Sequence, residues 1–130
     1  MAASNPLNRL ELGNEAEAAA RAYLITQGLR VILENFRCRS GELDLVAFHG
    51  QVLVIAEVRM RTQSDYGGAA ASVGLRKRAR IVSATKYLLL THPWLARYPV
   101  RFDVVALDRA GRQEPTRIEW IRNAFEVCAW

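Results

Sequence analysis

Cysteine is scarce in this chain of 130 residues: only Cys38 and Cys128 occur, far apart and with no companion Cys or His at metal-ligand spacing. That argues against a disulfide scaffold and against a zinc site, and both are expected to be reduced thiols. Long apolar runs are missing as well. The longest, residues 45–48, 52–56 and 87–90, fall far short of the ~20 residues a membrane helix needs, and the first ten residues lack the apolar core of a signal peptide. The expectation is a soluble, cytoplasmic protein without a membrane partner. No internal repeat, low-complexity stretch or Pro/Ser linker divides the chain, and 51% apolar residues supply one hydrophobic core. This fits a single domain over 1–130, with 1–12 as a flexible N-terminal segment.

Lysine is nearly absent too, since sixteen of the eighteen basic residues are Arg. Against 13 acidic residues they leave a net charge of +5. The surplus is concentrated: residues 57–80 hold Arg59, Arg61, Arg76, Lys77, Arg78 and Arg80 against Glu57 and Asp65, a local +4, whereas 101–130 cancels. Such a segment is the footprint of a protein that meets phosphates, and equally of a solvated helix face.

Residues 14–27 are Ala-rich with Leu and Tyr at helical spacing, and Gly28 stands where a helix commonly ends. Asn14 followed by Glu17 has the form of a reciprocal N-terminal cap. Three strand-like runs follow, 30–36, 42–48 and 51–61, the last two reading as a β-hairpin. A Gly- and Ala-rich connector over 66–72 leads to a second helix, about 73–91, stopped by Pro93. Residues 100–107 and 117–122 complete the pattern with two more strands around a turn at 108–111. The order describes a mixed α/β sheet with a helix on either side.

If His49-Gly50 forms the hairpin turn, Asp44 lies opposite Ile55 and Glu42 opposite Glu57, which makes Asp44 and Glu57 diagonal neighbours. Alternation then sends Glu42, Asp44, Ile55, Glu57, Arg59 and Arg61 to one charged face and Leu43, Leu45, Val52, Val54, Ala56 and Val58 to a core face. Two carboxylates brought together repel and raise each other's pKa, so the pair calls for a cation. Mg²⁺ takes one or two carboxylates plus water and phosphate oxygens, and the basic residues at 59, 61 and 76–80 would neutralise a phosphate backbone around it. An exposed ion-pair network of Glu57 with Arg59 or Arg61 fits the same spacing.

Gly41-Glu42-Leu43-Asp44-Leu45-Val46, then Glu57-Val58-Arg59-Met60-Arg61, Tyr66-Gly67, Lys77 and Arg101-Phe102-Asp103-Val104-Val105 together resemble the YraN family of bacterial nuclease-like proteins. That family is similar to Holliday-junction resolvases of the PD-(D/E)XK superfamily. The resemblance implies a restriction-endonuclease-like αβββαβ core, a role on structured or branched DNA, and phosphodiester hydrolysis dependent on Mg²⁺ or Mn²⁺. By position it makes Asp44 and Glu57 metal ligands, with the carbonyl of Val58 completing the site, and Glu17 a helix-borne assisting carboxylate; the cap with Asn14 is the other reading of Glu17. Asp103 is expected to be an ion-pair partner. Action on a two-fold-symmetric junction would imply a homodimer.

Arg59 departs from the motif, which has Lys there. A guanidinium stays protonated and cannot act as a general base, although it can stabilise developing charge. Three readings remain open: Arg59 serves as an electrostatic clamp, Lys77 replaces the missing amine, or catalysis has lapsed and left a nucleic-acid-binding module. His49 and His92 have no sequence partners and read as surface or capping residues, and Trp94, Tyr98, Trp120 and Trp130 as core or interface aromatics.

Overall fold

The structure is a computed structural model that describes residues 6–61, 73–108 and 117–127, with side chains from residue 14 onward. The connector at 66–72, the turn beyond Asp108, Cys128 and Trp130 lie outside the described residues.

Helix α1 (Pro6–Thr26) is followed by β1 (Arg30–Cys38), β2 (Gly41–His49) and β3 (Val52–Arg61). Helix α2 (Leu75–Thr91) and a single 3₁₀ turn, Pro93–Leu95, then lead to β4 (Val100–Asp108) and β5 (Ile118–Phe125). The five strands form one sheet in sequence order. All neighbours are antiparallel except β3 and β4, which run parallel. A parallel pair needs a crossover, and the β3-α2-β4 segment supplies it. The mixed sheet with two helices is the expected α/β architecture and is consistent with a restriction-endonuclease-like fold.

Helix α1 starts earlier than its sequence signal. Pro6, with its fixed φ and missing N–H, suits a first helical position, and the helix runs on through Gly13 and Asn14. Asn14 therefore lies inside the helix and caps nothing, so Glu17 is not part of a capping box. Helix α2 ends as expected before Pro93, with His92 at its C-cap donating its backbone N–H to the Leu88 carbonyl.

One expectation about the faces needs correction. Leu45, Ala47, Val54, Ala56, Val105 and Leu107 pack with Ala20 and Leu24 of α1, as a core face should. The opposite face is not a charged surface. Val46, Phe48, Leu53, Ile55, Phe102 and Val104 form a second core beneath Ile81, Ala84 and Leu88 of α2. A helix on each side leaves charge only where α2's apolar stripe runs out, beyond Ile55 on β3.

Asp103 is fully buried and satisfied from three directions. It takes a bidentate bond from Arg101, with both distances 2.9 Å, and single bonds from Trp120 Nε1 and the Asn123 backbone N–H. Arg101 in turn contacts His49 Nδ1 at 3.1 Å, tying the hairpin end to β4 and β5. Asp103 is thus the ion-pair partner expected of it. Removing one member of a buried charged network strands the others, so Asp103→Ala is expected to cost about 3–5 kcal/mol. Urea denaturation followed by circular dichroism checks this, and an unchanged midpoint would contradict it.

Candidate functional site

The hairpin turn is Gly50-Gln51, not His49-Gly50, because His49 still pairs with Val52. Gly50 takes φ +61°, the first central position at which two-residue hairpin turns favour Gly. The register consequently moves by two residues: Leu45 pairs with Ala56 and Val46 with Ile55. A two-residue shift preserves which face each side chain occupies. It changes the pairing of the acids, and Asp44 now stands directly across from Glu57 instead of diagonal to it. Glu42 is not opposite Glu57; it pairs with Arg37 of β1, whose Nε lies 2.8 Å from Glu42 Oε2.

The β2–β3 pairing ends at Leu45 and Ala56. One step further, carboxylates take the place of backbone carbonyls. Asp44 Oδ2 accepts the Val58 N–H at 2.8 Å, and Glu57 Oε2 accepts the Asp44 N–H at a longer 3.4 Å. Both acids therefore lie in the seam between two strands.

Burial raises the pKa of each. For Glu57, only 3% exposed, burial and then the neighbouring Asp44 charge push it to about 8, against partial relief from Lys77. Burial also pushes Asp44 up, opposed chiefly by the Val58 hydrogen bond and the Lys77 charge. Burial and mutual repulsion thus disfavour full ionisation of the pair near neutrality. This is a pair with too little positive charge beside it, the condition a divalent cation relieves.

A cleft of about 460 Å³ opens over the pair, lined by Arg37, Cys38, Gly41, Glu42, Lys77, Arg80 and Ile81 as well as Asp44 and Glu57. Helical spacing places Lys77 one turn before the buried Ile81, so its stem follows the apolar stripe and its ammonium emerges over the acids. Lys77 Nζ lies 3.9 Å from Glu57 Oε1. Gly41 lets α2 approach: a Cβ there would meet the Arg80 carbonyl oxygen at 3.1 Å and the Arg80 Cβ at 3.2 Å.

The other expected site residues are divided. Arg59, two residues past Glu57 on the same face of β3, is half-buried at the level of Ala106 and stands outside the cleft lining. Arg76 is exposed on the first turn of α2. Arg78 turns away, its Nε donating to the Val73 carbonyl at 2.6 Å and its guanidinium lying over the Phe125 ring. Arg61 is a correction: it is buried, with Nε 2.5 Å from Asp108 and Nη1 2.6 Å from Glu119, so it braces β3, β4 and β5 and offers nothing to a phosphate.

Glu17 is half-buried on α1 with a pKa raised by burial first and then by Asp44, while a hydrogen bond from Asn35 favours its ionised form. It senses the acidic pair without joining it. Among the described residues, no group of three or more His, Cys, Asp or Glu side chains is placed to hold a metal ion. The candidate centre is thus Asp44 and Glu57, and Val58 meets it through its backbone N–H. Arg37 and Asn35 were missed by sequence reasoning. Asn35 carried a signal, since Asn in mid-strand is disfavoured and tolerates a left-handed backbone.

Two outcomes follow. A raised carboxyl pKa means that the fold holds an extra proton between the unfolded and folded values, so in metal-free buffer stability is expected to fall as pH climbs from about 5 to about 8. Calorimetric melting in EDTA reads this, and Glu57→Gln should flatten the profile; a flat wild-type profile would contradict it. Separately, Gly41→Ala is expected to cost about 1–3 kcal/mol by overpacking against α2, measurable by urea denaturation.

A family model described as "Uncharacterised protein family UPF0102" matches residues 16–107, the span from α1 to β4 that holds the acidic pair and Lys77. A UPF0102 protein of Ectopseudomonas mendocina (strain ymp) is 47% identical over 117 residues, covering 90% of this chain and 96% of its own. One from Xanthomonas oryzae pv. oryzae (strain PXO99A) is 50% identical over 122 residues, covering 94% and 97%. One from Xylella fastidiosa (strain 9a5c) is 47% identical over 121 residues, covering 93% and 97%. Similarity of this extent leads to one conclusion: the chain belongs to the uncharacterised protein family UPF0102, the YraN family to which its motifs pointed.

Proposed function

We propose that this protein is a divalent-metal-dependent nuclease acting on structured or branched DNA. The observation that carries the reading is the opposed pair Asp44 and Glu57, buried, short of positive charge and open to a cleft bordered by Arg37, Lys77 and Arg80. Asp44 and Glu57 fit Mg²⁺ or Mn²⁺, which take oxygen donors and leave coordination positions for water and phosphate. Bound there, such an ion would polarise a phosphodiester and lower the pKa of water.

The side chains around the pair divide the remaining work. Arg37 and Arg80 flank the cleft, where guanidinium groups neutralise a sugar-phosphate backbone. Lys77 reaches the acids from α2 and supplies the amine that the motif expects two residues after Glu57. Arg59, fixed in its protonated form, contributes charge alone. A second reading rests on that same Arg59: with no lysine at the motif position, the domain binds nucleic acid without cutting it.

Cleavage of a four-way junction and a flap in Mg²⁺ or Mn²⁺ separates the two readings. A nuclease loses at least about 100-fold in rate on Asp44→Asn, an effect of the size seen when electrostatic stabilisation is removed, while DNA affinity stays within a few-fold. Lys77→Met should cost more than Arg59→Lys. Wild-type protein that binds junctions with a steep salt dependence yet cuts none in either metal would favour the binding module.

A further inference from the structure

Asn35, in the middle of β1, has φ +53°. Its position is not arbitrary. Glu34 pairs with Leu45 and Phe36 with Leu43, so Asn35 runs beside Asp44.

Both strands lose their alternation at this level. On β1, Leu33 and Phe36 both pack into the core under α2, although an odd separation should send them to opposite faces. Between them, Glu34 and Asn35 both reach α1: Glu34 pairs with Arg21 at 3.4 Å, and Asn35 hydrogen-bonds to Glu17 one turn earlier. On β2, Leu43 and Val46 likewise both join the core under α2. The residues that break step are partners, since Leu33 pairs with Val46 and Phe36 with Leu43. Asp44 sits inside this matched break, and its carboxylate accepts the Val58 N–H of the neighbouring strand.

A left-handed residue rotates the chain that follows it, and among residues with a side chain Asn adopts this conformation most readily. Such outliers persist where the surroundings hold them, often beside functional groups. We propose that Asn35 is a positioning residue for the acidic pair: its left-handed backbone rotates β1 and with it β2, turning Asp44 into the seam opposite Glu57. The meaning of this for catalysis rests on the metal reading above. The geometric claim does not.

Amide hydrogen exchange at Val58, measured by NMR on the full chain without metal or DNA, tests it. Asn35→Gly keeps easy access to positive φ, whereas Asn35→Val does not. Protection of Val58 is expected to stay within about threefold of wild type in Asn35→Gly and to fall at least about tenfold in Asn35→Val, with the Ile55 amide in the intact ladder serving as the internal reference. Asn35→Ala takes the place of the Val variant if that fails to fold. Mn²⁺ affinity, read by calorimetry, should follow Val58 protection and weaken about tenfold or more in the Val variant, as it does when outer partners of metal ligands are lost. Full Val58 protection in the Val or Ala variant overturns the proposal, and so does equal loss in the Gly variant. Absence of Mn²⁺ binding by the wild type overturns the metal reading alone.

Discussion

The site depends on a replacement of backbone carbonyls by carboxylates where two strands stop pairing. Beyond Leu45 and Ala56, the Val58 N–H is satisfied by Asp44 and the Asp44 N–H by Glu57. A buried backbone donor must find an acceptor, and in a regular hairpin the facing strand provides it without charge. Here the acceptors are ionisable, so satisfying the backbone also concentrates acid in a largely buried seam at the floor of the cleft. The hydrogen bonds favour ionisation and burial opposes it. Burial wins at Glu57, whose pKa is pushed up to about 8.

The second constraint is the length of the apolar stripe on α2. Ile81, Ala84, Thr85 and Leu88 are buried against the sheet, and one turn before Ile81 the same face carries Lys77. The helix thus changes character directly over the acidic pair. Its first turns are basic because they have passed the edge of the core, and they stay close because Gly41 presents no side chain to Arg80. Core packing and charge placement are one arrangement: the helix that buries Val46, Leu53 and Ile55 is the helix that delivers an ammonium to Glu57.

Much of this was legible in the sequence. Element order follows from alternation and turn signals, and the hairpin's parity from Leu45 to Ala56 survived a register error because the shift was two residues; Leu43, expected on the face of Leu45, instead packs under α2. The register itself was not legible, since His49-Gly50 and Gly50-Gln51 are both plausible turns until Val52 is seen to pair with His49. The role of Arg61 was hidden for a different reason. Its partners Asp108 and Glu119 are distant in sequence and meet it only because β4 pairs in parallel with β3 while β5 folds back on β4. The covered second face was hidden by the mixture of charge and apolar residues on α2, in which the solvated side is the more conspicuous.

On the nuclease reading proposed above, Arg59 at the position of the motif lysine acquires a structural context from this arrangement. A guanidinium cannot give up its proton near neutrality, so at position 59 it can only hold charge, and it does so half-buried on β3 outside the cleft. Lys77, on a flexible stem, occupies the half-exposed position over Glu57, with its Nζ 3.9 Å from Glu57 Oε1. On the proposed reading, the positive charge that one strand lysine would bring to the acids is here divided between Arg59 on a strand and Lys77 on a helix. The consequence is mechanical as well as chemical: an amine carried by β3 would be locked to the sheet, whereas one carried by α2 is placed only as well as the helix is docked. The absence of a side chain at Gly41, in the same cleft, lets α2 lie close enough to bring that amine to the acids.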